Sequence, residues 1–303
     1  MRALCFPFFF CTLLALAATV PIPQTAIAGD PIVIFTSILP QEYFIEQIGQ
    51  ERVQAQALVQ PGHSPATYSA TPRQMAELAE ARIYFRIGVP FENSLIPKLE
   101  RTLPELAIVD LRDGIGLMHL SEAHADHNER EGDLDPHTWL DPTLALRQAE
   151  VIRDTLIRVD PDGEKTYRSN FDRLAAELKK LDNTLSAMLA PLAGLPMYVF
   201  HPAYGYFCRR YNLRQKAINL HGKEPGARYL ARLIEEARRD RVRTIFVQAQ
   251  FSRKAARTIA KSIGAGLVVL DPLARDYPAN MIHMAKQLLA ALHGPEKEGK
   301  ETR

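Results

Sequence analysis

The sequence predicts an α/β protein of two α/β lobes with mainly parallel sheets, joined by one long rigid helix. Three observations carry that expectation. Short β-branched runs alternate with segments of helical period from residue 31 to 111, and the same alternation resumes after residue 195. Between them a single apolar stripe recurs at helical spacing for roughly 28 residues, about 40 Å at the helical rise. Strands alternating with helices read as βα units around a parallel sheet. With 303 residues and 47% hydrophobic content the chain is long enough for about two domains with a large core.

In chain order, Arg2 is followed by the apolar run "FPFFFCTLLALAATV" and then by small residues in "TAIA" before Gly29. A charged start, a short apolar core and an A-x-A site, with Ala26 and Ala28 flanking the cut, describe a secretory signal over residues 1–28. The run is short for a bilayer span. Cys5 and Cys11 leave with that segment, so only Cys208 remains and no internal disulfide is expected. Neither early cysteine follows the small-residue pattern of a lipid-attachment site, and the mature form is expected to be soluble and periplasmic.

The N-terminal lobe, residues 29–160, offers "PIVIFTS", "VQAQALVQ", "RIYFRIG" and "LAIVDL" as strands, with "QEYFIEQIG", "TPRQMAELAEA" and "ENSLIPKLERTL" as helices between them. Thr71 before Pro72, and Asp141 before Pro142, each set a capping side chain ahead of a proline at the first helical position. The linking helix is placed at 161–192, where Tyr167, Phe171, Leu174, Leu178, Leu181, Leu185 and Met188 recur at steps of four and three. In the C-terminal lobe, residues 193–294, the strands are "PMYVF", "RTIFVQ" and "GLVVL", with helices near 203–211, 227–240, 253–263 and 279–292. Ser252 is a cap for one of these helices, and Gly264 its stop. Residues 119–133, "HLSEAHADHNEREGD", and the tail 295–303 are polar and without period, and are expected to be disordered.

Without the signal the chain carries 36 Lys and Arg against 35 Asp and Glu. The basic residues fall in small groups such as "LKK" and "EARRDRVR", the pattern of solvated helix faces, so no nucleic-acid partner is expected.

The chemistry centres on "DLDPHTWLDP", residues 133–142, where His137 sits between two Asp-Pro pairs beside the one tryptophan of the chain. Each proline fixes its own φ and pushes the preceding residue toward extended geometry, which gives His137 a stiff mount. In an α/β lobe ligands bind beyond the carboxyl ends of the strands. That rule selects His63 in "LVQPGHSPATY", His137, His201 after "MYVF" and Asp271 after "GLVVL". Three imidazoles and one carboxylate make a tetrahedral zinc shell, which points to a metal site between the lobes. The plainer readings remain open: loop histidines are often surface residues, Asp271 can cap a turn before Pro272, and Asp135 and Asp141 can be turn and helix-cap residues. If His137 is a ligand, a neighbouring carboxylate such as Asp141 can hold its other ring nitrogen.

The segments "PGHSPATYSATPRQMAELAEA", "DPHTWLDP", "FHPAYGYFCRRYNL", "GKEPGARYLARLI", "IFVQAQFSRKAA" and "VVLDPL" resemble, in the same order, the substrate-binding proteins of zinc and manganese ABC importers. The resemblance implies two lobes joined by a rigid helix, small interlobe movement and a metal in the cleft, with His137, His201 and Asp271 falling on family ligands. It also implies zinc over manganese, because manganese-type members tend to carry Glu where His201 stands. The family's Asp-Pro-His-x-Tyr is Ser64-Pro65-Ala66-Thr67-Tyr68 here, so Ala66 stands where a ligand is expected. His63, three residues earlier, can serve from a shifted position, or the shell is three ligands plus water, or Gln248 or Glu224 completes it. His119, His124 and His127 occupy the place of a His-rich loop in zinc-type members, and are either weak capture residues or solvent-exposed. His221, His283 and His293 are read as exposed or structural.

The function that follows is capture of zinc and its delivery, as a monomer, to the membrane permease of an ABC importer, without catalysis. Affinity is expected to fall as histidines protonate below about pH 6.5. The alternatives are a manganese- or iron-binding importer component, a metal-dependent adhesin, and a zinc hydrolase; against the last stands the lack of an H-E-x-x-H helix or an evident general base.

Overall fold

A computed structural model describes residues 29–120, 134–218, 227–251 and 253–292. The N-terminal lobe runs β1 (Ile32–Ile38), α1 (Leu39–Gly49), β2 (Val53–Val59), α2 (Pro72–Ala79), β3 (Ile83–Arg86), α3 (Glu92–Thr102), β4 (Ala107–Asp110) and α4 (Pro142–Val159). Its four strands form an all-parallel sheet in the order β2-β1-β3-β4. β1 lies inside the sheet, and Ile34, Phe35 and Ile38 are buried, as expected of a parallel strand covered on both faces. Thr71 and Gln74 form a reciprocal capping box at the start of α2, and the Asp141 carboxylate accepts from the Thr143 backbone N–H at 2.8 Å at the start of α4.

α5 (Glu164–Leu189) follows, 26 residues in one piece. Its stripe of Tyr167, Phe171, Leu174, Leu178, Leu181 and Leu185 is buried, with Leu189 taking the place at the end that the spacing gave to the half-buried Met188. Two polar residues on this helix fasten it to different lobes. Asn170 Nδ2 donates to the Ile48 carbonyl at the end of α1 (2.9 Å), and the Asp182 carboxylate is clasped by Arg210 and Tyr211 of the C-terminal lobe.

That lobe runs β5 (Pro196–Val199), α6 (Gly205–Arg210), β6 (Arg214–Ala217), α7 (Ala227–Arg239), β7 (Thr244–Gln248), α8 (Arg253–Ile263), β8 (Gly266–Leu270) and α9 (Tyr277–Leu292), with a second parallel sheet in the order β6-β5-β7-β8. The sheet has four strands, where the sequence reading had three. β6 is "RQKA", with no β-branched residue, and it holds its place as an edge strand through four backbone pairings with β5. Gly264 closes α8 with φ +72°, the left-handed backbone that glycine adopts freely. Ser252 and the tail 295–303 lie outside the described residues, as does the segment 1–28.

From Pro31 on, the described residues form one compact unit, and the lobes meet through buried groups. Trp139 Nε1 donates to the Pro272 carbonyl (2.8 Å), the Tyr277 hydroxyl donates to the Trp139 carbonyl (2.8 Å), and the Tyr206 hydroxyl donates to the Asp135 carbonyl (3.0 Å). Nearer the surface, Arg275 donates to Glu42 (2.8 Å) and Glu46 (2.6 Å) of α1.

Candidate metal centre

Both sheets end their strands toward the same cleft, where βα loops carry the polar side chains. His137 opens the 3-10 turn Thr138–Leu140. The Asp135 carboxylate, almost fully buried, accepts from the His137 backbone N–H at 2.9 Å and lies 2.6 Å from ring Nδ1. A carboxylate only accepts, so Nδ1 carries the proton and Nε2 keeps a free lone pair. The partner of the ring is thus Asp135, and not Asp141, whose carboxylate is committed to capping α4. The His137 ring also packs on Trp139, with centroids 5.2 Å apart.

His201 enters from the other lobe, two residues past β5. Its ring stacks on Phe251 (4.8 Å, 28°) and meets the His137 ring edge-on at 5.4 Å. Gln248 Nε2 donates to the His201 carbonyl at 3.0 Å and steadies its backbone. His201 Nδ1 is buried with no hydrogen-bond partner. Burial, and then the neighbouring His137, push its imidazole down to about 3, so the ring is neutral at any ordinary pH.

His137 and His201 both line a cavity of about 50 Å³, whose wall also includes Ala66, Trp139, Gln248 and Gln250. This is room for an ion or one water. The loop "GHSPAT" turns so that Thr67 N donates to the Ser64 carbonyl (3.2 Å), and Ser64, Pro65 and Ala66 face the cavity. His63 is exposed, its N–H tied back to the Gln60 carbonyl (3.1 Å) and its ring edge-on to Tyr68 at 6.1 Å. Asp271 follows β8 directly and lines an adjoining open groove of about 640 Å³, which it shares with Gln250. Its Oδ1 accepts from Gln250 Nε2 (2.8 Å) and from the Leu273 N–H (3.0 Å).

Of the four sequence-selected positions the fold therefore brings His137 and His201 into ring contact, bonds Asp271 to Gln250, and leaves His63 exposed and off the cavity wall. Among the described residues no three His, Cys, Asp or Glu side chains converge on one point. His119 is paired across an isolated bridge with Leu134. His283 is exposed on α9, and His124, His127, His221, Glu224 and His293 lie outside the described residues. The sequence reading gave Asp135 only a turn role and assigned none to Gln250 or Phe251. The signal for Asp135 was its place two residues before a histidine, where an Asp side chain reaches back to the chain.

A family model described as "Zinc-uptake complex component A periplasmic" matches residues 34–291. The high-affinity zinc uptake system protein ZnuA of Bacillus subtilis is 28% identical over 279 residues, covering 87% of each chain. A crystal structure of ZnuA superposes with a TM-score of 0.80 at 38% identity, covering 86% of this chain and 99% of that one. A zinc-bound ZnuA lacking a 138–173 segment superposes equally well, at 38% identity over 86% of this chain and 98% of its own.

Proposed function

The chain belongs to the family of component A of the zinc-uptake complex, and on that premise we propose that it captures Zn²⁺ between His137 and His201 and hands it to the permease of an ABC importer. The observation that carries this reading is the meeting of two imidazoles from opposite lobes, 5.4 Å apart, one of them held by a buried carboxylate. Zinc is the cargo: it is bound and released without chemical change, so the reading gives the protein no catalytic step.

The surroundings suit a dehydrated ion. Trp139, Phe251, Val89 and Pro90 wall the cavity with apolar surface, which keeps water out and strengthens each donor contact. Imidazole nitrogen favours zinc over manganese, and by the same order copper competes in vitro. The apolar N-terminal run ending in small residues supports export to the periplasm, where a monomer would meet the permease. Among the described residues no helix is long and apolar enough to cross a membrane.

The test is calorimetric titration of zinc into chelator-stripped residues 29–303, as wild type, His137→Ala and His201→Ala. One tight site is expected, weakened at least about 100-fold by either substitution, because each removes one of few donors. A wild type without a tight site, or a tight site indifferent to both substitutions, overturns the reading.

A further inference from the structure

We propose that the side-chain oxygen of Gln250 is a direct ligand of the captured metal, aimed at it by Asp271; this rests on the zinc-capture reading above. Two imidazoles leave a four-coordinate zinc two donors short. Across the cavity the N-terminal lobe presents Ala66, which has no donor. On the other wall Gln250 Oε1 is buried with no hydrogen-bond partner. Buried polar atoms are rarely left unpaired, and an unpaired acceptor beside two imidazoles is what a cation site holds before its cation arrives.

The other end of the same carboxamide is fixed. Gln250 Nε2 donates to Asp271 Oδ1 at 2.8 Å, and that oxygen is itself held by the Leu273 N–H, while Asn280 Nδ2 donates to the Asp271 carbonyl at 2.7 Å. Rotating the amide would set its oxygen against a carboxylate that can only accept, so Oε1 stays turned away from Asp271. Gln250 lines both the cavity with the histidines and the outer groove with Asp271, whereas Asp271 lines only the groove. The glutamine is thus common to the wall of the groove that holds the carboxylate and the wall of the cavity that holds the imidazoles. Next in the chain, Phe251 stacks on His201 and ties the position of residue 250 to that of the ligand ring.

Gln248 also has a buried oxygen, but the buried Tyr204 hydroxyl lies against that side chain and can serve as its partner, while Gln248 Nε2 holds the His201 carbonyl. Gln248 is a positioning residue for His201. The donor set that results, two imidazoles and a neutral amide oxygen, leaves the positive charge of the metal to be balanced by Asp135 and Asp271 from one bond further out.

The experiment combines zinc affinity, by competition with a chromophoric chelator, with zinc-edge X-ray absorption on residues 29–303. Gln250→Ala is expected to weaken zinc at least about tenfold with the metal-free melting temperature little changed. Gln250→His is expected to add a third imidazole to the two of the wild type, which only a residue reaching the metal does. If Gln250→Ala binds zinc within twofold of wild type, or if Gln250→His leaves two imidazoles, direct ligation is wrong. His137→Ala in the same series separates the two ideas: loss of zinc there with no effect at position 250 overturns the ligand assignment alone, while zinc binding indifferent to His137 removes the cleft reading and the ligand with it.

Discussion

His137 Nδ1 lies 2.6 Å from the Asp135 carboxylate, and the same Oδ1 accepts the His137 backbone N–H at 2.9 Å. One buried oxygen thus fixes both the peptide and the ring, and leaves the Nε2 lone pair free. Such an outer partner sets the tautomer of a metal ligand and raises its basicity.

Asp135→Asn keeps the volume and an acceptor but removes the charge. Zinc affinity is expected to fall about 10- to 100-fold, with His137 still present, as read by chelator competition. Unchanged affinity contradicts the role given to Asp135.

Trp139 Nε1 is the one donor the structure shows to the buried Pro272 carbonyl across the lobe boundary. Trp139→Phe keeps a ring there but leaves that carbonyl unpaired. The expected cost is about 1–3 kcal/mol in urea unfolding of the metal-free protein.

Arg275 reaches from the β8–α9 loop to Glu42 and Glu46, with its side chain about half exposed. Ion pairs at such exposure contribute little, so Arg275→Ala is expected to cost less than about 1 kcal/mol, and less still in high salt. A larger loss would mean that this contact governs how the lobes meet.

His201, with its imidazole pushed down to about 3 by burial and then by His137, gives a pH dependence of definite sign. Between about pH 6.5 and that value the unfolded chain takes up a proton that the folded chain refuses. Stability of the metal-free protein therefore falls as pH falls through this window, by up to about 1.4 kcal/mol per unit from this group. His201→Asn removes the effect, so the stability of wild type relative to the variant is expected to shrink from pH 7 to pH 5.5; a constant difference contradicts it.

The sheets were legible because parallel strands buried on both faces are written as apolar runs, as in β1 "IVIFTSI" and β7 "TIFVQ". β6 was not, since "RQKA" forms as a half-exposed edge where pairing with β5, and not burial, supplies the order. The helix starts at Thr71-Pro72 and Asp141-Pro142 were written in their capping residues. At the site, strand-end position pointed to His201 and Asp271, and the two Asp-Pro pairs pointed to His137; the structure sets the His137 and His201 rings together. Strand-end position could not order donors within a loop. Ala66 lines the cavity while His63, three residues earlier, is exposed, and the Gln250 carboxamide is bonded to the Asp271 carboxylate; both depend on side-chain direction, which spacing does not carry.

The most direct test is a crystal structure of residues 29–303 grown with one equivalent of zinc. The account predicts one ion in the cleft, bonded to a nitrogen of His137 and a nitrogen of His201, with Asp135 still on His137 Nδ1. Zinc at any other place, with these two rings unligated, contradicts it.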